Sequence, residues 1–125
     1  LHESMFNPDA AFADYMAAVE AAPKAPWAYE ALFLAANLLW NDKYDAEGAT
    51  VLWRRLVKEY PDSREADRAA YYIGAVRIFT KEYSKAIAGL REFLEKYPGS
   101  PFVRDARELL ERCQAALEAK KSPKR

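Results

Sequence analysis

Between Ser63 and Thr80 the apolar residues Ala66, Ala69, Ala70, Ile73 and Val76 recur at three- and four-residue steps, the spacing that gathers side chains on one face of an α-helix. A second stripe follows in Ala86, Ile87, Leu90, Phe93, Leu94 and Tyr97. Pro98 ends it, because a proline ring disfavours helix at the residue before it. The same two-part pattern lies upstream. Pro26 to Trp40 is rich in Ala, Leu, Phe and Trp, and Asp45 to Tyr60 turns Ala49, Leu52, Trp53, Leu56 and Val57 inward. Asn7-Pro8 opens an earlier helix that runs to about Ala22, with Ala11, Phe12, Tyr15 and Val19 on one face, and Phe102 to about Lys120 forms the last. About six helices are predicted and no alternating run long enough for a strand is present, so the fold class is all-α.

The helix starts carry their own signals. Asp62 or Ser63 is placed to cap the helix that follows, with Glu65 completing a capping box to Asp62. Ser100 is a good N-cap and Pro101 suits the first helical position.

The punctuation repeats. Lys58-Glu59-Tyr60-Pro61-Asp62-Ser63 returns as Glu95-Lys96-Tyr97-Pro98-Gly99-Ser100, a period of 37 residues, and Pro23 stands 38 residues before Pro61. These marks divide the chain into a half repeat (1–22), two full repeats (23–60 and 61–97), a closing helix (98–121) and a basic tail (122–125), all within a single domain.

Residues 65–98 resemble a tetratricopeptide repeat. Gly74 stands where that family wants a small residue between touching helices, Tyr83 is the aromatic at the turn, Ala86 and Leu90 follow in the second helix, and Pro98 closes the unit. Arg77 departs from the pattern, standing where the family often has an aromatic, and the period exceeds the usual 34. Upstream, Ala36 replaces the glycine, Ala49, Trp53 and Pro61 match, and Lys43-Tyr44-Asp45-Ala46-Glu47 aligns only with a gap, which points to an altered turn. The resemblance implies a right-handed superhelix of antiparallel helix pairs that binds a segment of another protein and has no enzymatic activity. The closing Tyr-Pro formula and the long period are similar to a bacterial envelope subset, which includes the periplasmic Tol-Pal-associated protein and the lipoprotein of the outer-membrane assembly machine. This resemblance implies an adaptor in the periplasm or cell envelope, with the cytoplasm as the alternative.

In such a repeat the first helices line the concave groove. Carried over position by position, the groove residues are Phe33, Asn37 and Trp40 from the first full repeat, Arg68, Tyr71, Ala75 and Ile78 from the second, and Arg112 from the last helix. Glu30, Phe79, Asp105 and Glu108 are their neighbours on the same faces. Phe33, Trp40, Tyr71 and Ile78 would form an apolar floor with Arg68 and Arg112 near its edge; for each aromatic a core role is the alternative. The altered turn leaves the register of Asn37 and Trp40 open by one residue. A further alternative is self-association through the first helix, with Phe6, Phe12, Tyr15 and Met16 as the exposed flank.

Composition narrows the chemistry. Of 125 residues, 51% are hydrophobic and 14% aromatic, which separates the chain from a disordered one. The charges balance at 19 Lys+Arg against 19 Asp+Glu, and the only basic run is the tail from Lys120, which argues against a nucleic-acid partner. No stretch is long and apolar enough for membrane insertion. His2 and Cys113 are the only His and Cys, at opposite ends of the chain, so neither a His–Cys catalytic pair nor a Cys/His metal site is expected, and no cofactor is implied. Cys113, beside Leu109, Leu110 and Leu117, is expected to be an inert buried thiol.

Overall fold

Asn7 accepts a hydrogen bond from the Ala10 amide through its side chain and Pro8 takes the first helical position, so α1 (Pro8–Ala21) starts where the sequence puts it. The computed structural model describes residues 7–121. Among them five more helices follow and no strand: α2 (Ala28–Lys43), α3 (Ala46–Glu59), α4 (Ala66–Phe79), α5 (Tyr83–Lys96) and α6 (Val103–Lys121). Each packs on its neighbours in sequence, α2 against α3 and α4 against α5, with α1 and α6 covering the two ends.

The links between successive pairs are built alike three times. The Ala25 amide bonds the Ala22 carbonyl and the Ala28 amide bonds the Ala25 carbonyl; Tyr60, Ser63 and Ala66 repeat this, and so do Tyr97, Ser100 and Val103. This extra turn corrects the expected helix starts. Ser63 is not an N-cap: its hydroxyl donates to the Tyr60 carbonyl at 2.7 Å, and Glu65 takes the capping position with no capping box. Pro101 precedes the helix rather than opening it, and the Ser100 hydroxyl donates to Asp67 on α4 at 2.6 Å while accepting from the Phe102 amide at 3.1 Å. The first two links are also clasped, each by the tyrosine of the following link. The Tyr60 hydroxyl donates to the Pro23 carbonyl, and the Tyr97 hydroxyl to the Pro61 carbonyl at 3.0 Å.

The turns inside each pair lie at the opposite ends of the helices. Each holds one left-handed non-glycine residue, Tyr44 at φ 54° and Lys81 at φ 60°. The irregularity expected near Lys43–Glu47 is one extra residue. Tyr44 lies 16 residues beyond Ala28, Lys81 only 15 beyond Ala66. The surplus is absorbed where the Asp45 amide reaches back to the Leu39 carbonyl at 2.8 Å, and Asp45 then caps α3 through the Gly48 amide at 2.9 Å.

The main core lies where α1 to α4 meet, around Leu32, Trp53, Leu56 and Val76, which are at most 2% exposed. Burying each side chain of this size contributes about 1.5–3 kcal/mol. Phe12, Tyr15 and Met16 pack against this core and are therefore partly covered, while Phe6 and the tail at 122–125 lie outside the described residues. Leu90, Phe93 and Ala106 join α4, α5 and α6, and Cys113 is buried with Ala86 and Ile87 near Leu110 and Leu117. Helices α4 and α5 cross backbone to backbone at Gly74 and Gly89: a Cβ on Gly74 would stand 2.7 Å from the Leu90 amide nitrogen, and one on Gly89 2.8 Å from the Gly74 Cα. Glu92 of α5 meets Arg54 of α3 at 3.5 Å.

Candidate functional site

A cleft of about 280 Å³ runs between α2 and α4, lined by Asn37, Trp40 and Asn41 from the first and Tyr71, Tyr72, Ala75, Val76 and Phe79 from the second, with Trp53 of α3 at its base. The lining contains no charged side chain. Four expected groove residues, Asn37, Trp40, Tyr71 and Ala75, come together here. The other four do not.

Phe33 is only 7% exposed, because the Tyr72 ring lies over it with centroids 6.1 Å apart and planes 13° from parallel. It is core, and Tyr72 occupies the surface in its place. Ile78 packs toward the buried Ala86, Ile87 and Cys113, on the α5–α6 side of its helix. Arg68 stands outside the cleft, its guanidinium 5.5 Å from the Phe102 ring centre and 3.7 Å from Glu65. Arg112 is exposed on α6 and does not line the cleft.

The walls are held by packing beneath them. Trp53 is 1% exposed, and its indole N–H donates to Asn37 Oδ1 at 3.2 Å. An indole nitrogen only donates, so this bond fixes which end of the Asn37 amide is oxygen and leaves its NH₂ without a partner among the described residues. Tyr71 stacks on Phe102 (5.3 Å, 13°) and meets Phe93 edge-on at 5.7 Å. Burial, and then the negative charge of Asp105, push its hydroxyl pKa upward, so it remains a donor at neutral pH.

Toward the helix-pair turns the cleft opens onto an exposed aromatic group. Trp40 sits 5.7 Å from Phe79 and 6.1 Å, edge-on, from Tyr44; Phe79 is 74% exposed and Tyr44 77%. Below this group Arg77 is nearly buried and bonded to Glu47 of α3 at 3.0 Å and Glu82 at 2.8 Å. Glu82 also accepts from Thr80 at 2.6 Å and from Lys85 at 3.1 Å, and these bonds, Thr80 first, pull its carboxyl pKa down to about 2.

Two units of the chain, residues 30–63 and 68–100, match the family profile of the tetratricopeptide repeat. The chain belongs to the tetratricopeptide repeat family. No curated protein matches it. Tetratricopeptide repeats generally mediate protein–protein interaction and are typically non-enzymatic, which agrees with a surface of apolar rings and amide donors.

A larger tetratricopeptide cavity, about 550 Å³, lies on the opposite side between α3 and α5. Its walls are Arg54, Lys58, Glu92, Glu95 and Lys96 over Val57 and Phe93, and the Arg54–Glu92 pair spans it. Charges of both signs at such a rim are already solvated and partly paired, so the smaller, uncharged cleft offers more to a partner. Tyr72, Asn41 and Phe79 complete that cleft. Tyr72 could have been found from the run Tyr71-Tyr72: a helix places adjacent residues about 100° apart, and one of two neighbouring tyrosines beside a buried stripe must face a groove.

Proposed function

We propose that this chain is an adaptor module that holds a segment of a partner protein in the concave groove between α2 and α4, and performs no chemistry of its own. One observation carries the reading: aromatic rings and side-chain amides line that cleft with no charge among them. Aromatic side chains dominate protein interfaces because they bury large areas at low cost in conformational freedom. No described helix is long and apolar enough to cross a membrane.

The setting is proposed to be a bacterial envelope complex. That part rests on the long period and the Tyr-Pro formula. The two tyrosines also clasp the links of the fold, so their presence has a structural cause as well.

A photoactivatable side chain tests the binding face. Placed at Asn41 it is expected to cross-link a partner from an envelope extract, and placed at Arg54, on the opposite cavity, it is expected to capture none. Capture from Arg54 alone would move the binding face to α3 and α5.

A further inference from the structure

We infer that the segment held between α2 and α4 is uncharged, proline-rich and extended, in the polyproline II conformation. This rests on the reading of that cleft as the binding face.

Charge is the first support. Asn37, Trp40, Asn41, Tyr71, Tyr72 and Phe79 present rings and amides with no ionised group among them. A charged partner side chain would lose its water there and meet no counter-charge, at a high cost. The cavity on the other side carries both signs, so neutrality is particular to this cleft.

Hydrogen bonding is the second. Trp53 occupies the Asn37 oxygen and leaves the amide NH₂ as donor; the Trp40 indole only donates, and Tyr71 keeps its proton. Among the described residues the Asn37 NH₂, the Trp40 N–H and the Tyr71 hydroxyl make no hydrogen bond within the chain. The cleft thus offers donors in search of carbonyls. A polyproline II segment has the opposite need, since it makes no internal hydrogen bonds and its prolines have no N–H to satisfy. A helical partner uses its carbonyls internally and would leave these donors unpaired. A β-strand partner needs a sheet edge, and both walls here are helices.

Ring geometry is the third. The Trp40 and Phe79 planes meet at 51° and those of Trp40 and Tyr44 at 90°, so the rings are splayed. Exposed rings that line a groove are the surface on which proline-rich segments dock, and a segment already stiff in the bound shape loses little entropy there.

The test uses the ¹⁵N-labelled chain and three neutral-ended peptides of equal length: a proline-rich peptide, an uncharged helix-forming peptide and an acidic peptide. The proline-rich peptide is expected to shift the Trp40 indole and the Asn37 amide signals saturably. Asn37→Asp, which keeps the oxygen that Trp53 needs but removes the donors, is expected to weaken it at least tenfold with helicity unchanged, as is Trp40→Ala. No shift with the proline-rich peptide, or equal binding by Asn37→Asp, would overturn the inference. If the helical or acidic peptide shifts these signals instead, the partner class falls and the cleft survives as binding face. If no peptide reaches the cleft and cross-linking succeeds only from Arg54, both readings fall.

Discussion

The indole N–H of Trp53 ends on the side-chain oxygen of Asn37, 3.2 Å away, and couples a buried side chain of α3 to the wall of the cleft. Asn37→Ala would leave a nearly buried donor without a partner. The expected loss of stability is about 1–3 kcal/mol, with a smaller loss in Asn37→Asp, read from urea unfolding midpoints. Equal stability of Asn37→Ala and the parent chain would mean that water replaces the amide.

Gly74 and Gly89 are expected to resist any added carbon. Gly74→Ala gains about 1 kcal/mol of helix propensity but drives its Cβ against backbone, and overpacking of this kind costs about 1–3 kcal/mol. Because the neighbouring atom is the Leu90 nitrogen at 2.7 Å, which cannot swing aside, the net effect is expected to be destabilising. A melting temperature at or above that of the parent chain would show that α4 and α5 slide apart without cost.

Much of this frame is legible in the sequence. The helical stripes place all six helices to within a few residues, and Gly74, at the small-residue position of the resembled repeat, announces the crossing. What sequence reading misses are relations between repeats. Ser100 and Pro101 carry the signature of a helix start, but Ser100 is engaged by Asp67, 33 residues away, and the helix waits for Val103. Phe33 has the right spacing for a groove residue, but the ring that covers it, Tyr72, belongs to the next repeat. Arg77 breaks the family pattern because its partner Glu47 lies 30 residues upstream. Spacing along one helix cannot show which side chain of another will cover it.

Glu82 makes the fold sensitive to acid. Its carboxyl has a pKa of about 2 in the fold against an ordinary 4.5, so the stability it contributes is complete above pH 4.5 and drains away as the pH falls toward 2. Glu47, lowered chiefly by its bond from Arg77, acts in the same direction. Glu82→Gln is expected to be less stable than the parent chain at pH 7 and to lose less between pH 5 and pH 2. Parallel curves of melting temperature against pH would assign the acid sensitivity to other carboxylates.

Thr50 presents the reverse case. Its hydroxyl is buried in α3 and has no hydrogen-bond partner among the described residues. Thr50→Val removes that group with little change of shape, and the chain is expected to gain on the order of 1 kcal/mol. A lower unfolding midpoint would reveal a partner for the hydroxyl, such as a bound water.

The ties between repeats differ at the two rims of the array. Along the rim of the links, tyrosine hydroxyls clasp proline carbonyls and the Ser100 hydroxyl donates to the Asp67 carboxylate, while along the rim of the turns Arg77 holds Glu47 and Glu82 as ions. The tyrosine–carbonyl clasps involve no carboxylate, so acid weakens the Arg77 ties and spares these clasps. The Tyr44–Trp40–Phe79 mouth of the cleft stands at the rim of the turns, so the ties nearest to it are ones that acid weakens.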